Sequence, residues 1–598
     1  MPLEPPQEEV EPYTTRLLFL GGLEQIGMNA ALLCSGETRL LLDCGVFFPD
    51  ALYHPGIELS YPDFSILQKE ALLPLTGIAL THGHEDHIGA IPYLLDLCPN
   101  TPIYGSAFTI EMVRSRLQRE QKNTELCAVA PYERKEVGDL EVQWLPINHS
   151  IPGSTMLFIE TPETTILHSG DFKWGLPESW LQNDTIVDLA HAQLSKPSEE
   201  EPLAILRQQE QHLALQTIIH LDEIQQRGLD LLLCESTNVH QEGVTPAESE
   251  LHESFDKIFH EAQGQRIFCI TFSTQIERIK QLVAFARQYG RKMAFSGKGL
   301  ERTVRIARDL GELQFCKDEI VPLKELRAYP KEETIIFLTG SQGEPRSAAT
   351  SLIHRRHPQL SIEPGDVILW SSRWIPGNET RIIYTINQMN RQGATVFHPP
   401  KQLIHTSGHG YREDLLFLRR FMNPRYIVPI HGEYRFLIEH KKLSLEDGVP
   451  PEQFILCQNG SQLLIQEEDI KKGPPIRIGK EMRSLRNSPL VLDEKLKERR
   501  LLGQMGVLMV QLSFERTSLQ DAELILRGLG TPEICQKEEA SLAMYTKKIL
   551  TQKLECKEPL SQDALQDFMG RRIRNYFKKE WGGSPQIMVV ITPKAPPS

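Results

Sequence analysis

Residues 80–89 read Leu-Thr-His-Gly-His-Glu-Asp-His-Ile-Gly, so His82, His84, Asp86 and His87 fall within six residues, directly behind the apolar run Gly77-Ile78-Ala79-Leu80. The apolar run predicts a buried strand, and residues 88–95 begin as a helix does, which leaves the polar side chains on the turn between them. Alternation in the extended part puts His82 and His84 on one side, whereas Asp86 and His87 stand at the helix N-terminus and face another point. One turn can therefore serve two metal ions. Imidazole with carboxylate suits zinc, with manganese as the harder alternative, and two adjacent ions are apparatus for phosphoester hydrolysis. A solvated, histidine-rich loop is the competing reading, and the spacing behind a strand argues against it.

Other predicted strand ends carry further ligand types. His149 closes the run Trp144-Leu145-Pro146-Ile147-Asn148, Asp171 sits in a glycine turn after Thr165-Ile166-Leu167-His168, and His431 follows Ile427-Val428-Pro429-Ile430. A lone histidine behind a strand is more often structural, but here these positions accompany a dense ligand turn. Asp43, at the end of Leu40-Leu41-Leu42, fits an outer group that accepts a ring N–H and fixes a ligand's orientation; a simple turn aspartate is the alternative.

The chain has 598 residues, enough for about three or four domains. A formal charge of −14 argues against a generally basic nucleic-acid coat, although a local basic groove remains compatible with it. Ten cysteines without a CxxC pair indicate neither a thiolate zinc site nor a disulfide framework, and they fit reduced thiols in a cytosol. The acidic, proline-rich residues 1–11 lack the core of a signal peptide, and no apolar run approaches the roughly 20 residues of a membrane span. Strand-like runs alternate with helical stretches, the pattern of a layered α/β protein. Residues 184–216, rich in Glu, Gln and Lys, read as an insertion or mobile, solvated excursion. A second α/β unit spans about 240–395. A further shift near 447–451 leads into a β-rich stretch, a charged segment at 480–500 and a closing strand-helix-strand pattern. Gly21-Gly22-Leu23-Glu24-Gln25-Ile26-Gly27 reads as a structural turn bordering the site, not a dinucleotide loop. The basic runs at 354–357 and 412–420 read as solvated faces. In Arg571–Lys579, helical spacing sets Ile573, Tyr576 and Phe577 on an apolar side.

The run His82-x-His84-x-Asp86-His87 with His149, Asp171 and Asp43 resembles the five-motif site of the metallo-β-lactamase fold. Glu235-Ser236-Thr237-Asn238, His409 within His405-Thr406-Ser407-Gly408-His409-Gly410, and His431 within Ile430-His431-Gly432-Glu433 resemble motifs A, B and C of the β-CASP nucleases. Thr339-Gly340-Ser341-Gln342-Gly343-Glu344-Pro345, Ile375-Pro376-Gly377-Asn378-Glu379 and the closing Pro585-Gln586-Ile587-Met588-Val589-Val590-Ile591 are similar to strings of the ribonuclease J family. The resemblance implies a metallo-β-lactamase αββα sandwich with an inserted β-CASP α/β domain and a small C-terminal α+β domain. Its expected bounds are a disordered tail at 1–12, the first part of the lactamase-type domain at 13–237, the β-CASP domain at 238–396, the second part at 397–448, a linker and β-rich stretch at 449–500 and the C-terminal domain at 501–598.

The same resemblance implies two divalent ions, zinc or manganese. One is held by His82, His84, His149 and Asp171 and the other by Asp86, His87, Asp171 and His431, with Asp171 shared. His409 is implied as the general acid with Glu235 supporting it, a glutamate where the family more often has aspartate. Thr274, Gln275, Ile276, His405, Thr406, Ser407, Gly408 and His409 are implied as the phosphate grip. There the chain departs from the family, with Thr274-Gln275 in place of serine-asparagine and Glu277 in place of histidine; Arg278 and Arg373 are candidates to compensate, against a plain reading as salt-bridge arginines. The implied activity is metal-dependent hydrolysis of RNA, 5′→3′ exonucleolytic and endonucleolytic, in RNA processing and decay. Single-stranded RNA would be the substrate, homodimers or homotetramers the assembly, RNA-decay proteins the partners, and the cytoplasm, without a membrane, the location. A small-ester or thioester hydrolase and a non-catalytic RNA-binding scaffold are the alternatives.

Overall fold

The structure, a computed structural model, describes residues 15–593 apart from 51–52, 317, 376, 467–468, 485–489, 516–517, 528–531, 556–561 and 584; the tail at 1–12 lies outside the described residues. Two compact units emerge, one of residues 61–480 with the described residues up to 47, the other of residues 48–60 with 481–598.

The first unit is built on two sheets. One has eight strands in the order Asp469–Lys472, Gln462–Gln466, Thr15–Gly21, Ala30–Ser35, Thr38–Leu42, Gly77–Ala79, Ile103–Ser106 and Leu126–Val129. The other has six, in the order Tyr426–Ile430, Leu231–Glu235, Thr165–His168, Thr155–Glu160, Leu140–Pro146 and Arg134–Val137. Their inner faces meet in one apolar core, in which Leu17, Phe19 and Leu40 of the first pack with Trp144, Leu157, Leu233 and Val428 of the second. A second core lies under the helices Pro202–Arg227 and Arg412–Met422, against Leu145, Phe158 and Leu232 of the six-stranded sheet. This is the αββα layering expected of sheets that are apolar on both faces.

Two expectations change here. Residues 184–216 are not a solvated excursion. They form the helix Ile186–Leu194, which buries Ile186 and Ala190, and the exposed to half-buried first half of Pro202–Arg227, whose second half buries Ala214, Leu215, Ile218, Leu221 and Ile224 at helical spacing. The polar head of this helix hid the apolar stripe that begins one turn before the charged stretch ends. The 449–500 stretch is likewise divided: Gln462–Gln466 pairs antiparallel with Thr15–Gly21 and completes the first sheet, while residues from 481 onward belong to the second unit.

The β-CASP domain is a five-stranded, all-parallel sheet in the order Lys292–Ser296, Thr334–Leu338, Ile267–Ile270, Val367–Trp370 and Thr395–Phe397. It is inserted between Leu231–Glu235 and Tyr426–Ile430, which are adjacent parallel strands in register, Glu235 opposite Ile430. The chain thus leaves the six-stranded sheet beside Glu235 and returns one strand over to deliver His431.

The second unit pairs Val507–Glu515 antiparallel with Ser518–Arg527 and parallel with Gln586–Pro593, and packs the helices Pro532–Glu555 and Gln562–Trp581 around Leu508, Leu550, Met569, Ile573 and Phe577. In the basic run, Ile573 and Phe577 are buried while Arg571, Arg572 and Arg574 are exposed. No helix among the described residues is long and apolar enough to cross a membrane.

His440, on the helix Tyr434–Glu446, lies edge-on to Phe454 with Nδ1 2.9 Å from the Ser236 hydroxyl, and burial pushes its pKa down to about 4. An unfolded histidine titrates near 6.5, so between the two values the unfolded chain binds the extra proton. Stability from this group is complete above about pH 6.5 and is lost towards pH 4, by about 3 kcal/mol. Calorimetry of the intact chain is expected to show that His440→Gln loses less Tm than the wild type between about pH 7 and pH 4.5; parallel curves would contradict the assignment.

Candidate metal centre

All the ligand-type side chains converge because they follow strands that run in one direction. Leu140–Pro146, Thr165–His168, Leu231–Glu235 and Tyr426–Ile430 point the same way in the six-stranded sheet, and their ends carry His149, Asp171, Glu235 and His431. In the other sheet the parallel strands Thr38–Leu42 and Gly77–Ala79 end in Asp43 and in the turn from Thr81 to His87. Sites of α/β proteins collect at such carboxyl edges. As the spacing predicts, His84 occupies the N-cap and the short helix Glu85–Ile88 carries Asp86 and His87.

His82, His84, His149 and Asp171 form the first group, with ligand atoms within 4.8 Å of one another. His84 Nδ1 lies 3.0 Å from His82 Nε2 and 3.1 Å from His149 Nε2, and Asp171 Oδ2 is 3.6 and 3.9 Å from the same two nitrogens. Tetrahedral zinc bonds of about 2.0–2.1 Å separate ligand atoms by about 3.3 Å, a spacing these distances bracket. Asp86, His87, Asp171 and His431 form the second group. There His87 Nε2 is 3.2 Å from Asp171 and 3.8 Å from Asp86, and His431 Nε2 is 3.4 Å from Asp86.

Asp171 is the shared member. It is 2% exposed, neither oxygen receives an aligned hydrogen bond, and five histidine nitrogens stand 2.9–3.9 Å away. A buried carboxylate with no donor is costly, and a cation held by either group would give it a partner. The electrostatics differ between the groups. Burial, reinforced by neighbouring imidazoles, holds His82 and His149 well below the ordinary histidine range and His84 at about 4, so these rings are neutral and ready to ligate. Burial opposes the charged form of His87 and His431 too, but there Asp171 outweighs it and lifts His87 well up and His431 to about 10. Donor types, spacing and the unpartnered carboxylate together fit two divalent ions.

The surrounding residues fix the rings. Asp43, fully buried and in a left-handed backbone conformation (φ 57°), accepts from the Thr81 amide at 2.8 Å and hydroxyl at 2.9 Å, and lies 2.7 Å from His87 Nδ1. That contact leaves His87 Nε2 turned to the site. Thr81, Thr237 and Asn29 are functional neighbours that the sequence reading did not single out. The Thr237 hydroxyl is 3.1 Å from His431 Nδ1, and the Asn29 amide is 3.0 Å from His87 Nε2. No pattern marks them; only the motif strings in which Thr81 and Thr237 sit offered a signal. Arg116, buried in the helix Ala107–Arg119, ion-pairs with Glu85 and donates to the Gly89 carbonyl at 2.5 Å, which anchors the ligand turn from behind.

His409 stands beside this centre with Nδ1 2.8 Å from Glu235 Oε2 and 3.8 Å from Asp171 Oδ2. Glu235 is fully buried, and its other oxygen accepts the Phe172 amide at 2.7 Å. Burial works against a charged His409, but Glu235 and Asp171 outweigh it and raise its pKa. The third ligand-like group, Asp171, Glu235, His409 and His431, thus contains the His409–Glu235 pair, which stands against the shared residue Asp171.

The expected phosphate grip looks different. Ile276 is fully buried core, and Gln275 is 1% exposed with its Oε1 accepting from Thr271, so of that trio Thr274 alone reaches the surface. Arg278 is fully buried in an ion pair with Glu248 at 2.7 Å and is no free phosphate ligand. Glu277 is paired with Lys280 at 2.8 Å, which offsets its charge. In the glycine loop, Thr406 donates to the Pro246 carbonyl at 2.6 Å, Ser407 accepts from Asn238 at 2.8 Å, and the Gly408 carbonyl lies 2.6 Å from His149 Nδ1. The loop's first task is thus to orient His149 and His409. His405 keeps a buried Nδ1 without a partner, and Arg373 hydrogen-bonds Asn238.

A hydrolase that works through two divalent ions, built on a metallo-β-lactamase sandwich, is the class this arrangement defines. Residues 26–197 match the metallo-beta-lactamase superfamily model, 264–389 the ribonuclease J beta-CASP domain, 401–452 the Zn-dependent metallo-hydrolase RNA specificity domain and 494–593 the ribonuclease J C-terminal domain. Ribonuclease J of Mycolicibacterium smegmatis is 32% identical over 455 residues, covering 76% of this chain and 75% of its own. The Synechocystis protein of that name is 29% identical over 594 residues, 97% of this chain and 87% of its own, and that of Helicobacter pylori strain B128 is 32% identical over 471 residues, 78% and 63%. The chain belongs to the ribonuclease J family. A solved structure from Enterococcus faecalis, titled a protein of unknown function, superposes with a TM-score of 0.51 at 13% identity over 75% of this chain and 100% of its own, which bears on the fold alone.

Two substitutions test the centre. A Cβ on Gly408 would lie 2.7 Å from His149 Nδ1 and 2.9 Å from the Ser150 amide, so Gly408→Ala is expected to displace His149 and cost the first group its ion. Metal analysis should then find about one divalent ion per chain where the wild type holds about two. Asp43→Ala is expected to weaken metal retention by about 10–100-fold through His87, measured by competition with a chelator.

Proposed function

We propose that the protein hydrolyses phosphodiester bonds of single-stranded RNA, exonucleolytically from the 5′ end and endonucleolytically, with zinc at both positions. The observation that carries this is His409, held by Glu235 within 3.8 Å of the shared ligand Asp171. Bound ions would supply an activated water and neutralise charge developing on the phosphoryl oxygens. The chain's own residues do the rest. Glu235 ties His409 through Nδ1, which directs Nε2 to the substrate side and favours the protonated ring. The proton can then pass to the departing ribose oxygen, a step typically worth about 10²–10⁴-fold. Thr274, His405 and Arg373 are the groups left to meet the substrate's phosphates, with Glu277 neutralised by Lys280. Five imidazoles against two carboxylates support zinc over manganese, as does the match of residues 401–452 to the Zn-dependent metallo-hydrolase RNA specificity domain. Homodimers or homotetramers, RNA-decay partners and a cytoplasmic location go with this family reading.

The inserted domain, which returns the chain as His409 and His431, supports a polymer substrate over a small ester. A retained proton donor and a full ligand set support catalysis over a scaffold role. Incubation with 5′-monophosphorylated, 5′-triphosphorylated and circular RNAs, with and without divalent metal, tests the reading. Metal-dependent mononucleotide release from linear RNA and cutting of the circle are expected. Binding without metal-dependent cleavage would refute it, and His82→Ala serves as the inactive control. His409→Ala should lower turnover by about 10²–10⁴-fold while both ions remain bound.

A further inference from the structure

Behind the metal centre lies a set of four charged side chains, three of them buried and the fourth, Glu210, 10% exposed, that the chemistry above does not use. Lys173, two residues beyond Asp171 and 1% exposed, places Nζ 3.3 Å from Glu210 and 3.5 Å from Glu248. Glu248, 3% exposed, accepts from Arg278 Nε at 2.7 Å and Nη2 at 3.1 Å, and its amide donates to Glu210 at 3.0 Å. Arg278 also donates to the Ile404 carbonyl at 3.1 Å, to the Thr406 carbonyl at 3.4 Å and to the Ser371 hydroxyl at 2.5 Å.

Each member comes from a different part of the chain. Lys173 belongs to the Asp171 loop, and its amide donates to the Asn148 carbonyl beside His149 at 2.8 Å. Glu210 belongs to the helix Pro202–Arg227, and the Asn148 side chain donates to the Glu210 carbonyl at 2.8 Å. Glu248 opens the inserted domain, and Arg278 lies on that domain's helix Ile276–Gln288 while holding the loop that ends in His409. Gly175, at φ 64°, leaves the room: a Cβ there would meet Glu210 Oε1 at 2.7 Å. The formal charges, two positive and two negative, cancel, and burial excludes the water that would otherwise screen them. Removing one partner leaves an uncompensated buried charge, so the set acts as a unit.

We propose that Lys173, Glu210, Glu248 and Arg278 are positioning residues that hold the His409 loop in register with the Asp171 and His149 loops, and that the charged helix 202–227 is there to supply Glu210. The inference rests on the reading of His409 as proton donor, because its consequence is selective. A shift of the His409 loop harms departure of a ribose oxygen, which needs a proton, and spares departure of nitrophenolate, which does not. Misplacement by about 1 Å can cost about 10²-fold in rate.

The test compares kcat for single-stranded RNA with kcat for bis(p-nitrophenyl) phosphate in the full-length, metal-loaded protein. Glu210→Gln is expected to lower kcat on RNA by at least about tenfold and on the nitrophenyl ester by less than about threefold, with KM and the metal count unchanged. Glu210→Asp keeps the charge but shortens the reach, so it should show the same selectivity in milder form, and it carries the test should Glu210→Gln fail to fold. Lys173→Met with Glu210→Gln restores neutrality and should recover part of the loss on RNA. Equal losses on both esters, no loss on either, or loss of bound metal would overturn the proposal. A wild type that hydrolyses the nitrophenyl ester but not RNA would overturn the functional reading itself, an outcome separable from a silent Glu210 variant.

Discussion

A carboxylate with no hydrogen-bond donor, sealed among five histidines, is the constraint on which the molecule turns. Asp171 is costly to bury by itself. The imidazoles around it offset that cost: Asp171 raises the pKa of His87 and His431 in one group, while burial holds His82, His84 and His149 low in the other. The residues of either group would hold a divalent ion, which would supply the partner this carboxylate lacks among the described donors. Every ring in turn needs an outer partner to keep its lone pair aimed. Asp43 does this for His87, the Gly408 carbonyl for His149, and Thr237 lies against His431.

These outer partners come from remote parts of the chain, and the topology explains why. The inserted domain leaves the six-stranded sheet at Glu235 and re-enters on the adjacent parallel strand that ends at His431. Between those points the chain must pass the centre twice, and the returning loop supplies Gly408 to His149 and His409 to Glu235. The centre is therefore complete only when the chain has returned from the inserted domain. Arg278, paired with Glu248, donates to the Ile404 and Thr406 carbonyls of that loop.

The ligand turn was legible in the sequence because its chemistry is local: four side chains in six residues behind a strand fix both type and spacing. His149, Asp171 and His431 were legible as strand ends. The αββα sandwich and its insert came from resemblance, since periodicity alone does not say which strands neighbour each other. What stayed hidden was residues whose role is set by a partner far along the chain. Arg278 and the 202–227 helix look like surface charge until Glu248 and Lys173 are seen opposite them. Ile276 and Gln275 lie inside a motif-like string, but the helix Ile276–Gln288 turns them inward. Gly408 read as turn chemistry or an anion cradle, yet its backbone has no positive φ; it is glycine because His149 needs the space.

The separation of duties in the glycine loop also bears on what the centre can accept. If Thr406, Ser407 and Gly408 were free to grip phosphate, substrate binding and acid positioning would compete for the same hydrogen bonds. Instead the Thr406 and Ser407 hydroxyls and the Gly408 carbonyl are engaged inside the protein, on Pro246, Asn238 and His149. Preorganised donors cost no rearrangement at the moment of reaction, which favours a rigid loop wherever a proton must be delivered in place. Of the groups proposed to meet the substrate's phosphates, Thr274 makes no bond to this loop, whereas Arg373 hydrogen-bonds Asn238, which itself donates to Ser407 and to the His409 carbonyl, so a pull on Arg373 is felt at His409.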